Sequence, residues 1–349
     1  MSATAKRLSR AATFCAAIAA AIGLALLLPS ASTGGSTGTA AETKLPPAAA
    51  RWVAAWPKTD FSRRSVDLSE IRSGGPPKDG IPPIDEPKFQ DVGKVEGIAA
   101  TEPLISLEIG GDARAYPLAV LMWHEIVNDT VGGVPVAVTF CPLCNAAVVF
   151  DRRLEGRVLD FGTTGNLRKS DLVMYDRQTE SWWQQFLGEA IVGTLTGKRL
   201  KFLPSRIESF ARFKARSAKG RVLVPNHPHM RRYGANPYAG YDGLSRPFLY
   251  DGALPANIAP LARVVSIGKV AWSLDLVRER KRIEHGDYVI TWAPGQNSAL
   301  DKPRIAEGRD VGNVVVQRKT AGRLVDAVHG IDFAFAFHAF HPDGVIHVK

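Results

Sequence analysis

The sequence predicts an α+β, β-rich fold: a pseudo-duplicated strand-helix-strand core with a Cys-x-x-Cys corner in the first copy only. Three observations lead to it. Short apolar or alternating runs separated by Gly, Asn and Asp turns fill residues 104–340, the pattern of strands and hairpins. Helical spacing is confined to brief stretches. Val138 to Ala146 also aligns with Ile290 to Ser298, keeping the strand, the proline (Pro142, Pro294) and the asparagine (Asn145, Asn297). Ala293 and Gln296 stand there in place of Cys141 and Cys144, so the corner can be built without sulfur.

In chain order, Lys6, Arg7 and Arg10 lead into an uncharged apolar run, Ala11 to Leu28, which is the physical pattern of an export signal. The run is also long enough to serve as an uncleaved anchor. Residues 1–28 are therefore a signal peptide or N-terminal anchor. Residues 29–50, rich in Ser, Thr, Gly, Ala and Pro, read as a flexible linker. Residues 51–103 carry Gly74-Gly75-Pro76-Pro77 and Ile81-Pro82-Pro83 with little periodicity, and read as an extended arm.

The globular domain is expected over 104–349. Leu104 to Ile109 and Ala113 to Tyr116 form a hairpin around Gly110-Gly111-Asp112. Pro117 opens a short helix over Leu118 to Val127, with Leu118, Leu121, Met122 and Ile126 at helical intervals. Val134 to Phe140 is a buried strand ending at the cysteine pair, and Ala146 to Asp151 leaves it. The second copy repeats the order: a hairpin at Val264 to Trp272, a helix capped by Ser273, then a turn into Tyr288 to Trp292. Between the copies lie Ser181 to Leu187, a strand or helix, and a loop-rich section from Asn226 to Leu249.

The formal net charge is +10, yet Lys and Arg are scattered and no basic stripe interleaved with aromatics appears. Nucleic-acid binding is excluded on that pattern, and membrane contact is limited to the N-terminal segment. No nucleophile elbow, phosphate-binding loop or dinucleotide fingerprint is present. Asp171, Asp176 and Glu189 are too dispersed to read as a catalytic carboxylate pair.

Ala115-Tyr116-Pro117-Leu118, Trp123-His124-Glu125-Ile126-Val127-Asn128-Asp129 and Val138-Thr139-Phe140-Cys141-Pro142-Leu143-Cys144 together resemble the DUF3179 family. Ser170 to Arg177, Gly188-Glu189-Ala190 and Tyr233 to Tyr238 extend the resemblance over most of residues 100–340. It implies an extracytoplasmic, often membrane-tethered protein, and brings no activity with it.

The chemistry must then come from the corner. Two thiolates at Cys-x-x-Cys spacing can grip one soft or borderline ion, and His124, one strand earlier, can add a nitrogen; this donor set suits copper or zinc. Met122, Met174 and His338 are candidate fourth ligands, and Glu125 is a candidate partner that orients His124 or acts as a base. His227 and His229, in a loop, are weaker metal candidates. The alternatives are a thiol-disulfide oxidoreductase, and a non-catalytic binding or scaffold module with a structural disulfide. The strand context disfavours the first, because redox cysteines of the thioredoxin kind start a helix. A loop this short stabilises by only about 2 kcal/mol, which disfavours the second. The expected product is an exported protein, periplasmic or at the cell surface, with a Cys141/Cys144/His124 site.

Overall fold

The computed structural model describes residues 47–349. The expected signal or anchor, and the linker as far as residue 46, lie outside the described residues. The last linker positions differ from expectation, since Pro47–Ala49 form a 3-10 turn and Ala49 packs in a core cluster with Trp52, Trp56 and Trp182. No helix among the described residues is long and apolar enough to cross a membrane.

The fold is β-rich with few helices, 13% helix against 40% strand, and five sheets of four or five strands make a propeller-like ring. This corrects the α+β expectation. The helices α1 (Leu118–His124), α2 (Phe210–Arg216), α3 (Leu274–Arg280) and α4 (Ala334–Phe340) each span seven residues, too short to form a layer.

The sheet that carries the cysteines orders Lys201–Phe202, Ala146–Asp151, Val134–Cys141 and Ile126–Val131, all antiparallel. Read from the Ile126–Val131 edge, that order matches another sheet, Arg282–His285, Tyr288–Ala293, Asn313–Thr320, Arg323–Asp326, also all antiparallel. Two further sheets also match. In one, the hairpin Pro103–Ile109 and Asp112–Pro117 is flanked by Arg206–Ser209 and, in parallel, by Arg221–Val224, with Lys88–Asp91 beyond. In the other, Arg263–Ile267 and Val270–Ser273 are flanked by Gly330–Phe333 and, in parallel, by Val345–His347. The fifth sheet, Ile71–Ser73, Phe161–Arg168, Asp171–Asp176, Trp182–Gln184 and Glu189–Val192, has no counterpart.

Local chemistry explains the boundaries. Val136 through Phe140 are all fully buried, as a strand covered on both faces requires, and their apolar, β-branched character suits that place. Helix α1 is shorter than expected because Glu125 turns to φ +56 and sends its N–H back to the Leu121 carbonyl; Ile126 already belongs to a strand. At the matching end of α3, Lys281 has φ +61 and its N–H returns to Val277. Ser273 caps α3 as expected, accepting from Leu276 N. Trp182 and Trp183 lie in a strand and are fully buried, so they build core, and no binding surface.

A buried ion cluster ties the loop before the second pair of sheets to its hairpin. Asp242 is fully buried and accepts from Arg263 Nη1 at 3.0 Å, Arg309 Nη1 at 2.7 Å and Ser298 Oγ. Removing its carboxylate leaves Arg263, itself buried, without its charge partner. Asp242→Ala is predicted to lower the unfolding free energy in urea by about 3–5 kcal/mol. A loss below about 1 kcal/mol, the range of an exposed pair, would mean the cluster does not hold the loop.

Candidate metal centre

The cysteine corner is pinned from three sides. Cys141 pairs with Ala146 across the strand ends, and Asn145, at φ +52, closes the turn between them. The Asn145 side chain donates to the Ile331 carbonyl at 2.8 Å, Phe333 N donates to the Cys144 carbonyl at 2.9 Å, and Tyr241 Oη donates to the Leu143 carbonyl at 3.0 Å. Both cysteines are free thiols and buried.

The group that joins them is Asp171. One ligand atom from each of Cys141, Cys144 and Asp171 can be chosen so that all lie within 4.8 Å of one another. Asp171 opens the strand Asp171–Asp176, and the turn that delivers it is Lys169-Ser170, with φ +54 and +67. Two consecutive residues at positive φ fit the tight hairpin turn in which Asn-Gly is preferred. Lysine and serine accept that conformation at a cost on the order of 1–3 kcal/mol each, and such strain gathers where a side chain must be aimed. The same turn brings the Ser170 carbonyl to 3.7 Å from Cys141 Sγ.

Asp171 is fully buried. Its Oδ2 accepts from Gln184 Nε2 at 2.7 Å and from Phe186 N at 2.9 Å. Oδ1 has no well-formed hydrogen bond, although the thiols are close enough to bring the carboxyl's pKa down. Burial dominates and lifts Asp171 to about 7. Two more buried carboxyls stand near: Glu125 is lifted to about 8 by burial and by the Asp171 charge, and Asp332 to about 8 by the same two causes. Burial pushes both thiols up as well, Cys144 well above its ordinary value. The centre is thus rich in groups whose protons burial holds more tightly than water would.

A tetrahedral zinc site with sulfur and oxygen donors has edges of about 3.5–3.8 Å, compatible with the spacing of this cluster. Oδ1 is buried, lacks a well-formed hydrogen bond and has the two thiols beside it, so the donor set fits an ion.

The residues expected from the sequence are only partly brought together. Cys141 and Cys144 are in the cluster. His124, expected as the third ligand, is instead committed elsewhere: Nδ1 bonds the Pro82 carbonyl at 2.8 Å and Nε2 the Tyr233 hydroxyl at 2.8 Å. Its partners lie far along the chain, and the group that lies with the two thiols is Asp171. Glu125 is buried and lies within electrostatic reach of Asp171. Met122 and Met174 pack in the same core as the cysteines. His338 lines a cavity on the far side of the Lys169 turn, and His227 and His229 lie in an exposed loop. Asp171 and Asp332 were missed. The available signal for Asp171 was an acid at the head of a strand whose following residues are apolar.

The family model described as "Protein of unknown function (DUF3179)" matches residues 78–344. The chain belongs to this family. The match takes in Cys141, Cys144, Asp171 and Asp332, so every element of the centre lies inside the DUF3179 region. No curated protein and no solved structure matches the chain.

The raised carboxyl of Asp332 has a signed consequence. A carboxyl whose folded pKa is above its unfolded value of about 3.9 favours folding fully below that value, and loses the contribution as pH rises toward the folded pKa. Asp332→Asn in the metal-free protein should therefore gain stability relative to the parent as pH rises from about 4 to about 8, then level off. Urea midpoints across that range would measure it; a difference that does not change with pH would show that Asp332 ionises as freely as in the unfolded chain.

Proposed function

We propose that this protein is an exported metal-binding protein whose Cys141, Cys144 and Asp171 hold one zinc ion outside the cytoplasm. The observation that carries the reading is a buried cluster in which ligand atoms of two free thiols and the Asp171 carboxyl lie within 4.8 Å of one another. Two thiolates alone would suit Cu(I), but a carboxylate oxygen is a hard donor, and the mixed set favours zinc over copper. Three protein ligands leave a fourth position for water or a substrate, the arrangement of catalytic zinc sites. Glu125, buried next to Asp171, is the base available to such a water. Zinc would also displace the protons that burial forces onto the thiols, so binding should release protons and tighten with pH.

The second copy supports the reading as a built-in comparison. The matching strand orders argue for a duplicated core, within which Ala293, Gln296 and Lys281 occupy the places of Cys141, Cys144 and Glu125. Lys281 lies over the Trp292 ring at 4.1 Å, an ordinary cation–π contact, where Glu125 is buried. The sulfur and the buried acid are confined to one copy, which favours chemistry over architecture as their reason. Thiol exchange is the weaker reading, because an attacking cysteine needs a lowered pKa and burial here works in the opposite direction.

Export follows the basic and apolar N-terminal run, and the same run allows an anchor. Full-length protein purified anaerobically is expected to bind one equivalent of zinc. Asp171→Asn should weaken zinc by about 100-fold or more, the double variant Cys141→Ser, Cys144→Ser should abolish binding, and His124→Gln should change it by less than about tenfold. Unchanged affinity in the double variant, or a His124→Gln effect as large as that of Asp171→Asn, would overturn the assignment.

A further inference from the structure

We propose that the cavity behind the Lys169 turn, with a volume of about 470 Å³, binds a small organic carboxylate through the Lys169 ammonium. The volume is within the range of small-molecule sites. Both acids of its lining are held in ion pairs with arginines, one of them, Arg168, outside the lining. Glu70 is taken by Arg168 at 2.8 Å, and Asp251 by Arg72. Lys169 has no ion-pair partner among the described residues: its Nζ donates to the Ala339 carbonyl at 2.7 Å and sits 5.5 Å from the centre of the Phe340 ring. An ammonium carries three donors, so two remain for a ligand. Burial already disfavours its charge, and an anion in the cavity would relieve that penalty.

The rest of the lining selects the ligand. Leu249, Tyr250, Ala253 and Ala339 offer apolar wall, and His338 a further polar atom. One unpaired point charge beside an apolar wall suits a monoanion with an apolar body better than a phosphate, which takes several donors. The turn also explains why lysine stands in a positive-φ position that favours glycine or asparagine. Residues 169 and 171 flank the buried Ser170, whose Oγ donates to the Phe248 carbonyl at 2.7 Å, so one strained turn sends Lys169 to the cavity and Asp171 to the thiols. Tyr250 Oη donates to the Ala253 carbonyl at 2.8 Å, which ties two lining residues of the cavity together. The inference concerns the cavity alone and stands independently of zinc.

Titration of the full chain with benzoate, benzyl alcohol and inorganic phosphate, followed by calorimetry, tests it. Benzoate should bind saturably, benzyl alcohol at least about tenfold more weakly, and Lys169→Met should lose at least about tenfold in benzoate affinity. Ala253→Trp, at an exposed lining position, should block benzoate without touching the core, which guards against a Lys169 variant that folds poorly. Absence of saturable benzoate binding, equal affinity for benzyl alcohol, tighter binding of phosphate than benzoate, or undiminished benzoate binding in either variant would each overturn the proposal. Because zinc affinity is read separately, failure here leaves the metal reading where it was.

Discussion

Exclusion of water from the Cys141–Asp171 corner is the constraint on which the site depends. Two thiols and three carboxyls are gathered where water is scarce, and each keeps its proton more tightly for that reason. Buried acids at this density are costly unless something uses them, and here the surrounding structure is arranged to keep them in place. Tyr241, Ile331 and Phe333 fix the cysteine turn, Gln184 and Phe186 N fix one oxygen of Asp171, and the other oxygen is left over. An ion with two positive charges would replace several protons and use the leftover lone pair at once.

The architecture delivers these groups from separate sheets. The cysteines come from one strand corner, Asp171 from a hairpin tip in the sheet that has no counterpart, and Asp332 from a strand of the sheet beside α4. Glu125 arrives by a different device, a helix ended at positive φ. Helix α3 ends in the same way at Lys281, whose ammonium lies over the Trp292 ring, whereas the acid at the end of α1 is buried. Strain at Lys169 and Ser170 completes the set, since it points neighbouring side chains into two different environments.

Much of the framework was legible in the sequence because its signals are local. Gly110-Gly111, Gly132-Gly133 and Gly268 mark turns, Ser273 marks a cap, and the apolar run at Val134 to Phe140 marks a buried strand. The propeller-like ring was not legible, since strand order is set by pairings between distant segments and periodicity reports only each strand's own faces. The same limit applies to the site. Cys141 and Cys144 announce themselves by spacing, whereas Asp171 reaches them from the next sheet. His124 looked like a ligand because it is close in sequence, yet Pro82 and Tyr233, which occupy its two nitrogens, are 42 and 109 residues away.

In the proposed centre, two sulfurs and one carboxylate oxygen hold a single ion. X-ray absorption at the zinc edge of the metal-loaded, anaerobically prepared protein addresses it most directly. The account predicts two sulfur scatterers at about 2.3 Å and oxygen at about 2.0–2.2 Å, without the outer-shell scattering of an imidazole ring. A first shell of nitrogen and oxygen alone, or a clear imidazole signature that disappears in His124→Gln, would contradict it.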